Sequence, residues 1–226
     1  MWIENRIQEF EFPWIKEHIK AGMEILDLGI GDGIILNFLQ KCQEELRFSL
    51  DVIEGSSEIC KKFNKADNKN ITIFNDFFEN FNTNKRYDLI LMSHILEHVD
   101  QPKEMLSRFK QFLTPTGKIL GIVPNRHSLQ RRLAVLMGLQ EKLDSLSPRD
   151  KIVGHLRVYS IESLKQDIEQ SYLEILSLKG FFLKPLANSQ LIKFDKSLVD
   201  ALLVVSDELP VDLAANIGFV ACIREF

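Results

Sequence analysis

Between residues 25 and 33 the chain reads Ile25-Leu26-Asp27-Leu28-Gly29-Ile30-Gly31-Asp32-Gly33, an apolar run ending in an acid and three glycines at alternate positions. Few local patterns restrict a fold as tightly. A short apolar run bounded by glycine reads as a strand buried on both faces, and such strands belong to parallel sheets covered by helices. The glycines then mark a tight turn into a helix whose first N–H groups point at whatever lies in the turn. Without Cβ atoms, this backbone lets a small molecule rest directly on it, and the helix terminus favours a negative group. A pyrophosphate fingerprint would need its third glycine at position 34, which is Ile34, so a dinucleotide site is disfavoured.

Downstream, apolar strands alternate with amphipathic helices. Strands are expected at 46–53, 71–74, 87–92, 118–123, 172–182 and 217–225, and helices at 34–41, after Pro102 and at 196–206. Residues 1–20 carry Trp2, Ile3, Ile7, Phe10, Trp14, Ile15 and Ile19 at loose helical spacing, with Pro13 expected to interrupt the helix. Ser160 reads as the cap of a helix with Glu162 in its first turn. With 226 residues the chain can bury a full core, and it fits one α/β domain with a helical cap at 1–20 and an insertion at 125–151. The 28 basic and 32 acidic residues leave a net charge of −4, so no global basic field calls for nucleic acid. Cys42, Cys60 and Cys222 are far apart and odd in number, which indicates neither a disulfide framework nor a zinc cluster. No apolar run is long enough to span a bilayer, and a cytoplasmic location is expected.

Several carboxyl ends of these strands bear polar residues, where ligands of open α/β sheets collect. Glu54 closes the second strand about twenty residues past the glycines, where a carboxylate accepts hydrogen bonds from ribose hydroxyls, with Asp51 as a competitor inside the strand. Asn75-Asp76-Phe77 closes the third and Ser93-His94-Ile95-Leu96-Glu97-His98-Val99 the fourth. Ser93 and His94 should face the reacting group, and His94 has a side chain suited to general base work near neutral pH. His155 and Arg157, two apart on extended backbone, point the same way and together could hold an anionic or hydroxylated acceptor. A purely structural role, bonding the insertion to the sheet, stays open. No metal is expected, because no His, Asp and Glu cluster shows ligand spacing.

At residues 25–33 the sequence resembles the cofactor motif Asp-Leu-Gly-x-Gly-x-Gly of the class I S-adenosylmethionine-dependent methyltransferases. The Leu96-Glu97-His98-Val99 run and the Leu113-Thr114-Pro115-Thr116-Gly117 turn resemble later stations of the same family. The resemblance implies a Rossmann-like, doubly wound, mostly parallel seven-stranded sheet with an antiparallel last strand and a helical insertion after strand five. It implies S-adenosyl-L-methionine as cofactor, with Asp27 near its amino end and Gly29, Gly31 and Gly33 as its bed. Glu54 would take the ribose, Asp76 the adenine amine and Phe77 the ring, with Ser93 at the methyl side. Packing against the domain is the expected role of residues 1–20, to which the resemblance adds Trp14 as a lid residue, and 125–151 would be a lid over the acceptor, a reading standing beside a solvated basic helix or an oligomer contact. The run His155-Leu156-Arg157-Val158-Tyr159-Ser160 is similar to one found among relatives of the ubiquinone-pathway O-methyltransferases, which adds Tyr159 to Arg157 as an acceptor contact and His155 to His94 as a proton acceptor. The expected activity is transfer of a methyl group to a small molecule, at a hydroxyl, on a sugar, lipid-linked or quinone-like acceptor. A noncatalytic binding subunit that docks through 125–151 is the alternative.

Overall fold

The computed structural model describes residues 2–63 and 70–224. An opening helix α1 (Trp2–Glu17) leads to β1 (Glu24–Leu28), α2 (Ile34–Leu46), β2 (Ser49–Glu54), α3 (Ser57–Phe63), β3 (Ile71–Asn75) and β4 (Tyr87–Ser93). The second half runs α4 (Pro102–Lys110), β5 (Leu113–Pro124), α5 (Leu129–Leu136), α6 (Pro148–Ile152), α7 (Ile161–Gln170), β6 (Leu173–Phe181), α8 (Asn188–Leu191), α9 (Lys196–Val205) and β7 (Asn216–Ile223). Two single turns of 3-10 helix, Ser206–Glu208 and Val211–Leu213, join α9 to β7.

The seven strands form one sheet in the order β3-β2-β1-β4-β5-β7-β6. Strands β1 to β5 pair in parallel, whereas β7 slots between β5 and β6 and runs antiparallel to both. This is the expected Rossmann-like architecture. Strand order reverses between β1 and β4, so a crevice opens at their carboxyl ends, where such sheets bind ligands. Each face of the sheet has its own apolar layer. Leu36, Leu39 and Phe48 pack with Trp14 and Ile15 on one side, and Leu106, Phe109, Leu164 and Ile168 cover the other. Burial of one such side chain stabilises the fold by about 1.5–3 kcal/mol. A third cluster joins Ile3 and Ile7 of α1 to Phe182, Leu191, Val199 and Leu203.

Several expectations are revised. Helix α1 continues through Pro13, since Ile3, Ile7, Trp14 and Ile15 all bury their side chains along one stripe and packing outweighs the lost hydrogen bond. Trp14 lies in the core, as the packing reading of this segment expects. Its ring meets Phe181 at 5.2 Å. Strand β5 starts at Leu113, because the Pro-x-Gly turn folds into the sheet as an irregularity opposite Tyr87 and Leu89. The last strand ends at Ile223, and Glu225 lies outside the described residues. The 125–151 stretch is two short helices joined by turns, and neither α5 nor α6 has a fully buried residue. Ion pairs hold it instead. Arg131 meets Asp150 at 2.6 Å within the insertion, and Arg149 meets Glu4 of α1 at 3.1 Å. Among the described residues no helix is long and apolar enough to cross a membrane.

Candidate active site

The glycine turn lies where β1 leaves the sheet. Gly29, Gly31 and Gly33 all take positive φ, at 83°, 56° and 86°. Each of these conformations is costly for other residues. The N–H of Gly29 donates to the Ile53 carbonyl at 2.8 Å and stitches the turn to β2. A Cβ built on Gly31 meets nothing within 4 Å, so this side of the turn is open. At Gly33 a Cβ would come within 2.1 Å of the Phe63 ring, so there the glycine serves packing.

Glu54 spans the turn. Its Oε2 accepts the Ile30 N–H at 2.9 Å and its Oε1 accepts the Ser56 N–H at 2.8 Å. A carboxylate has about four lone-pair sites, so both oxygens retain capacity for hydroxyl donors. Asp51, its competitor, is occupied by Lys85 and Tyr87, each at 2.8 Å. Asp27 is 2% exposed, its Oδ2 has no hydrogen-bond partner, and burial pushes its carboxyl up to about 8 against the opposing Leu28 N–H. A buried carboxyl with one oxygen unpartnered, beside an open glycine turn, fits a ligand that carries an ammonium group. Asp76 follows β3 and accepts the Phe77 N–H at 2.9 Å through Oδ1. The Phe77 ring is 62% exposed and lies against Gly55, a flat apolar surface of the kind that suits a purine face.

Ser93 and His94 end β4. The Ser93 hydroxyl is buried without a hydrogen-bond partner. His94 takes a positive φ of 55°, rare for a residue with a Cβ, and its N–H donates to the Ile122 carbonyl at 2.8 Å. Its Nδ1 lies 3.0 Å from Glu97 Oε1, and its Nε2 lies 3.9 Å from Glu11 Oε1 on α1. Burial favours the neutral ring, but Glu11 and Glu97 outweigh it and push the imidazole up to about 10. These contacts weigh against the general-base role expected for His94, because both ring nitrogens face carboxylates that favour the protonated ring.

The residues after the insertion also find other partners. Arg157 donates to the carbonyls of Leu96, Val99 and Asp100, and so pins the loop between β4 and α4. Tyr159 is 2% exposed, with its hydroxyl near the Leu96 carbonyl and Asp167. Both side chains are engaged by the protein itself, and these contacts favour the structural reading of Arg157. His155 is 3.3 Å from Asp150 and meets the His98 ring edge-on at 4.8 Å.

Two features escaped the sequence reading. Glu97, His98 and His155 each bring a donor atom within 4.8 Å of the others. Each also has one protein neighbour, His94 for Glu97, the Gly154 carbonyl for His98 and Asp150 for His155, while Glu97 Oε2 and His155 Nδ1 make no hydrogen bond. Their grouping joins the insertion to the β4 loop, and no spacing could reveal it because His155 arrives through the fold. The other is Glu11. It replaces an apolar residue in the stripe Ile3, Ile7, Glu11, Ile15, and a charge on a buried stripe was the available signal.

A family model described as a methyltransferase domain matches residues 5–178. Among curated proteins, the chain is 22% identical over 191 residues to the ubiquinone biosynthesis O-methyltransferase of Rickettsia akari (strain Hartford), covering 81% of this chain and 74% of that protein. It is 25% identical over 184 residues to the protein of the same name from Coxiella burnetii (strain Dugway 5J108-111), covering 80% of this chain and 77% of that one. Among solved structures, an S-adenosylmethionine dependent methyltransferase from Mesorhizobium loti superposes with a TM-score of 0.65 at 16% identity, covering 94% of this chain and 97% of the other. The plantazolicin methyltransferase BpumL, in complex with a triazolic desmethylPZN analog and SAH, gives 0.58 at 17% identity, covering 99% and 83%. These two likenesses show the shared fold.

Proposed function

Because this chain belongs to the methyltransferase-domain family and is an S-adenosylmethionine-dependent methyltransferase, we propose that it methylates a hydroxyl of a small-molecule acceptor held between the insertion and the β4 loop. The observation that carries this reading is the open side of the glycine turn at Gly31, flanked by the buried Asp27 carboxyl with its unpartnered Oδ2 and by the bridging Glu54. When bound, the cofactor supplies an electrophilic methyl on a sulfonium. Asp27 pairs with its ammonium group, Glu54 accepts from the ribose, and Asp76 with Phe77 receives the adenine. Ser93 and His94 stand at the methyl side.

Bound there, the cofactor would supply a methyl group to the acceptor oxygen and would leave as the thioether, with the hydroxyl proton passing to solvent base. Holding the two partners close and dry accounts for much of such an acceleration. A hydroxyl acceptor is favoured by the names of the curated relatives, which mark them as O-methyltransferases. A quinone-like, lipid-linked or sugar acceptor each meets that chemistry. The test supplies methyl-labelled cofactor and a small-molecule extract to the purified protein. Label in a base-stable, extractable product supports an ether; label released by mild base, or found only on nitrogen, overturns the hydroxyl assignment.

A further inference from the structure

Helix α1 carries one acid on its buried stripe, and Glu11 is fully buried there. Carboxylates are almost never fully buried unless paired. The partners of Glu11 come from two other elements: its Oε1 accepts from Asn216 Nδ2 of β7 at 3.2 Å and stands 3.9 Å from His94 Nε2. Across the same ring, Glu97 Oε1 lies 3.0 Å from Nδ1. The imidazole is thus gripped on both edges, on a backbone already in the left-handed region, a combination that persists only where surrounding contacts over-determine it.

We propose that Glu11 is a positioning residue of the active site, which acts through His94 and, with Glu97 opposite, holds that ring as a fixed cation at the end of β4. The N-terminal helix is then part of the site and not only its packing. Around the ring, α1 contributes Glu11, the loop after β4 contributes Glu97 and His98, and β7 contributes the uncharged Asn216. His98 in turn meets the insertion's His155, which pairs with Asp150. The inference rests on the proposed placement of His94 beside the acceptor for its relevance to transfer. Its test needs neither cofactor nor acceptor and so fails or succeeds separately from that placement.

The experiment is NMR of the full chain with labelled histidine, His94 being assigned through His94→Gln, and reads the ring nitrogen shifts from about pH 5 to about pH 10. The wild-type ring stays an imidazolium well above neutrality. In Glu11→Gln its midpoint falls by about one to three pH units, the effect of losing one of two adjacent opposite charges, and Glu11→Asp recovers part of the drop. Should Glu11→Gln fail to fold, Asn216→Ala loosens the carboxylate without removing it, and there a smaller fall is expected. A variant that melts earlier with an unchanged His94 midpoint would reduce Glu11 to a structural role. A wild-type midpoint near the ordinary histidine value would overturn the proposal outright.

Discussion

Glu54 reaches back across the crevice to accept the Ile30 N–H at 2.9 Å, and so locks the end of the second strand to the glycine turn of the first. The carboxylate thereby shapes the turn before any ligand arrives. Glu54→Ala removes that lock and the ribose contact together. Hydrogen bonds to charged groups contribute about 1.5–3 kcal/mol each, so S-adenosylhomocysteine affinity should fall roughly 10- to 150-fold by calorimetry. Glu54→Gln keeps the acceptor toward Ile30 in one orientation and should lose less. Equal affinity in all three proteins would contradict the role.

Asp27 gives a proton signature. Its carboxyl is pushed up to about 8 by burial, so at neutral pH the ligand-free chain holds it mostly protonated. Pairing with the cofactor's ammonium favours the ionised form, and binding at about pH 7 should release a proton. The calorimetric enthalpy will then vary with the ionisation enthalpy of the buffer. That dependence should vanish in Asp27→Asn. The same shift bears on stability. The folded state binds the proton more tightly than the unfolded chain, so this contribution is fully present below the ordinary aspartate range of about 4 and is lost as pH rises through about 8.

Two glycines of the turn should part company. Gly33→Ala drives a Cβ into the Phe63 ring and should lower the denaturation midpoint markedly. Gly31→Ala has space and pays only for its positive φ, about 1–2 kcal/mol. Urea titration of both variants separates them; a larger loss at Gly31 would contradict the packing.

Arg157 should behave as a structural residue. Its guanidinium holds three carbonyls of the β4 loop, and Arg157→Ala should cost about 1.5–3 kcal/mol of stability. Calorimetry should find cofactor affinity nearly unchanged. A stable variant that had lost only acceptor affinity would restore the binding role expected from sequence.

Glu97, His98 and His155 each lie beside one protein group, His94, the Gly154 carbonyl and Asp150, and no step is routed through a cation. Methyl transfer should therefore be indifferent to a chelator. Activity lost in EDTA and restored by magnesium or manganese would assign these three side chains to an ion.

The sheet and its glycine turn were legible because their signals are local. The strand of residues 25–28, its three glycines and the acids closing the next strands each sit within a few residues, and Asp27, Glu54 and Asp76 stand at or near the carboxyl ends of β1, β2 and β3. The acceptor side was not legible in the same way. His94 reads as a base until Glu11 arrives from α1, and His155 reads as a free side chain until Asp150 pairs with it. Tyr159 and Arg157 look like ligands on an extended segment, yet that segment packs under the β4 loop. Such assignments depend on contacts between distant segments, which no spacing encodes.

The most direct measurement is calorimetric titration of S-adenosylhomocysteine into the wild-type chain and into Gly31→Arg, with circular dichroism to verify that both are folded. One-to-one binding to the wild type, abolished by the arginine that fills the open side of the turn, is the predicted result. A folded wild type that takes up no ligand, or an arginine variant that binds as tightly, would contradict the placement of the cofactor on this turn.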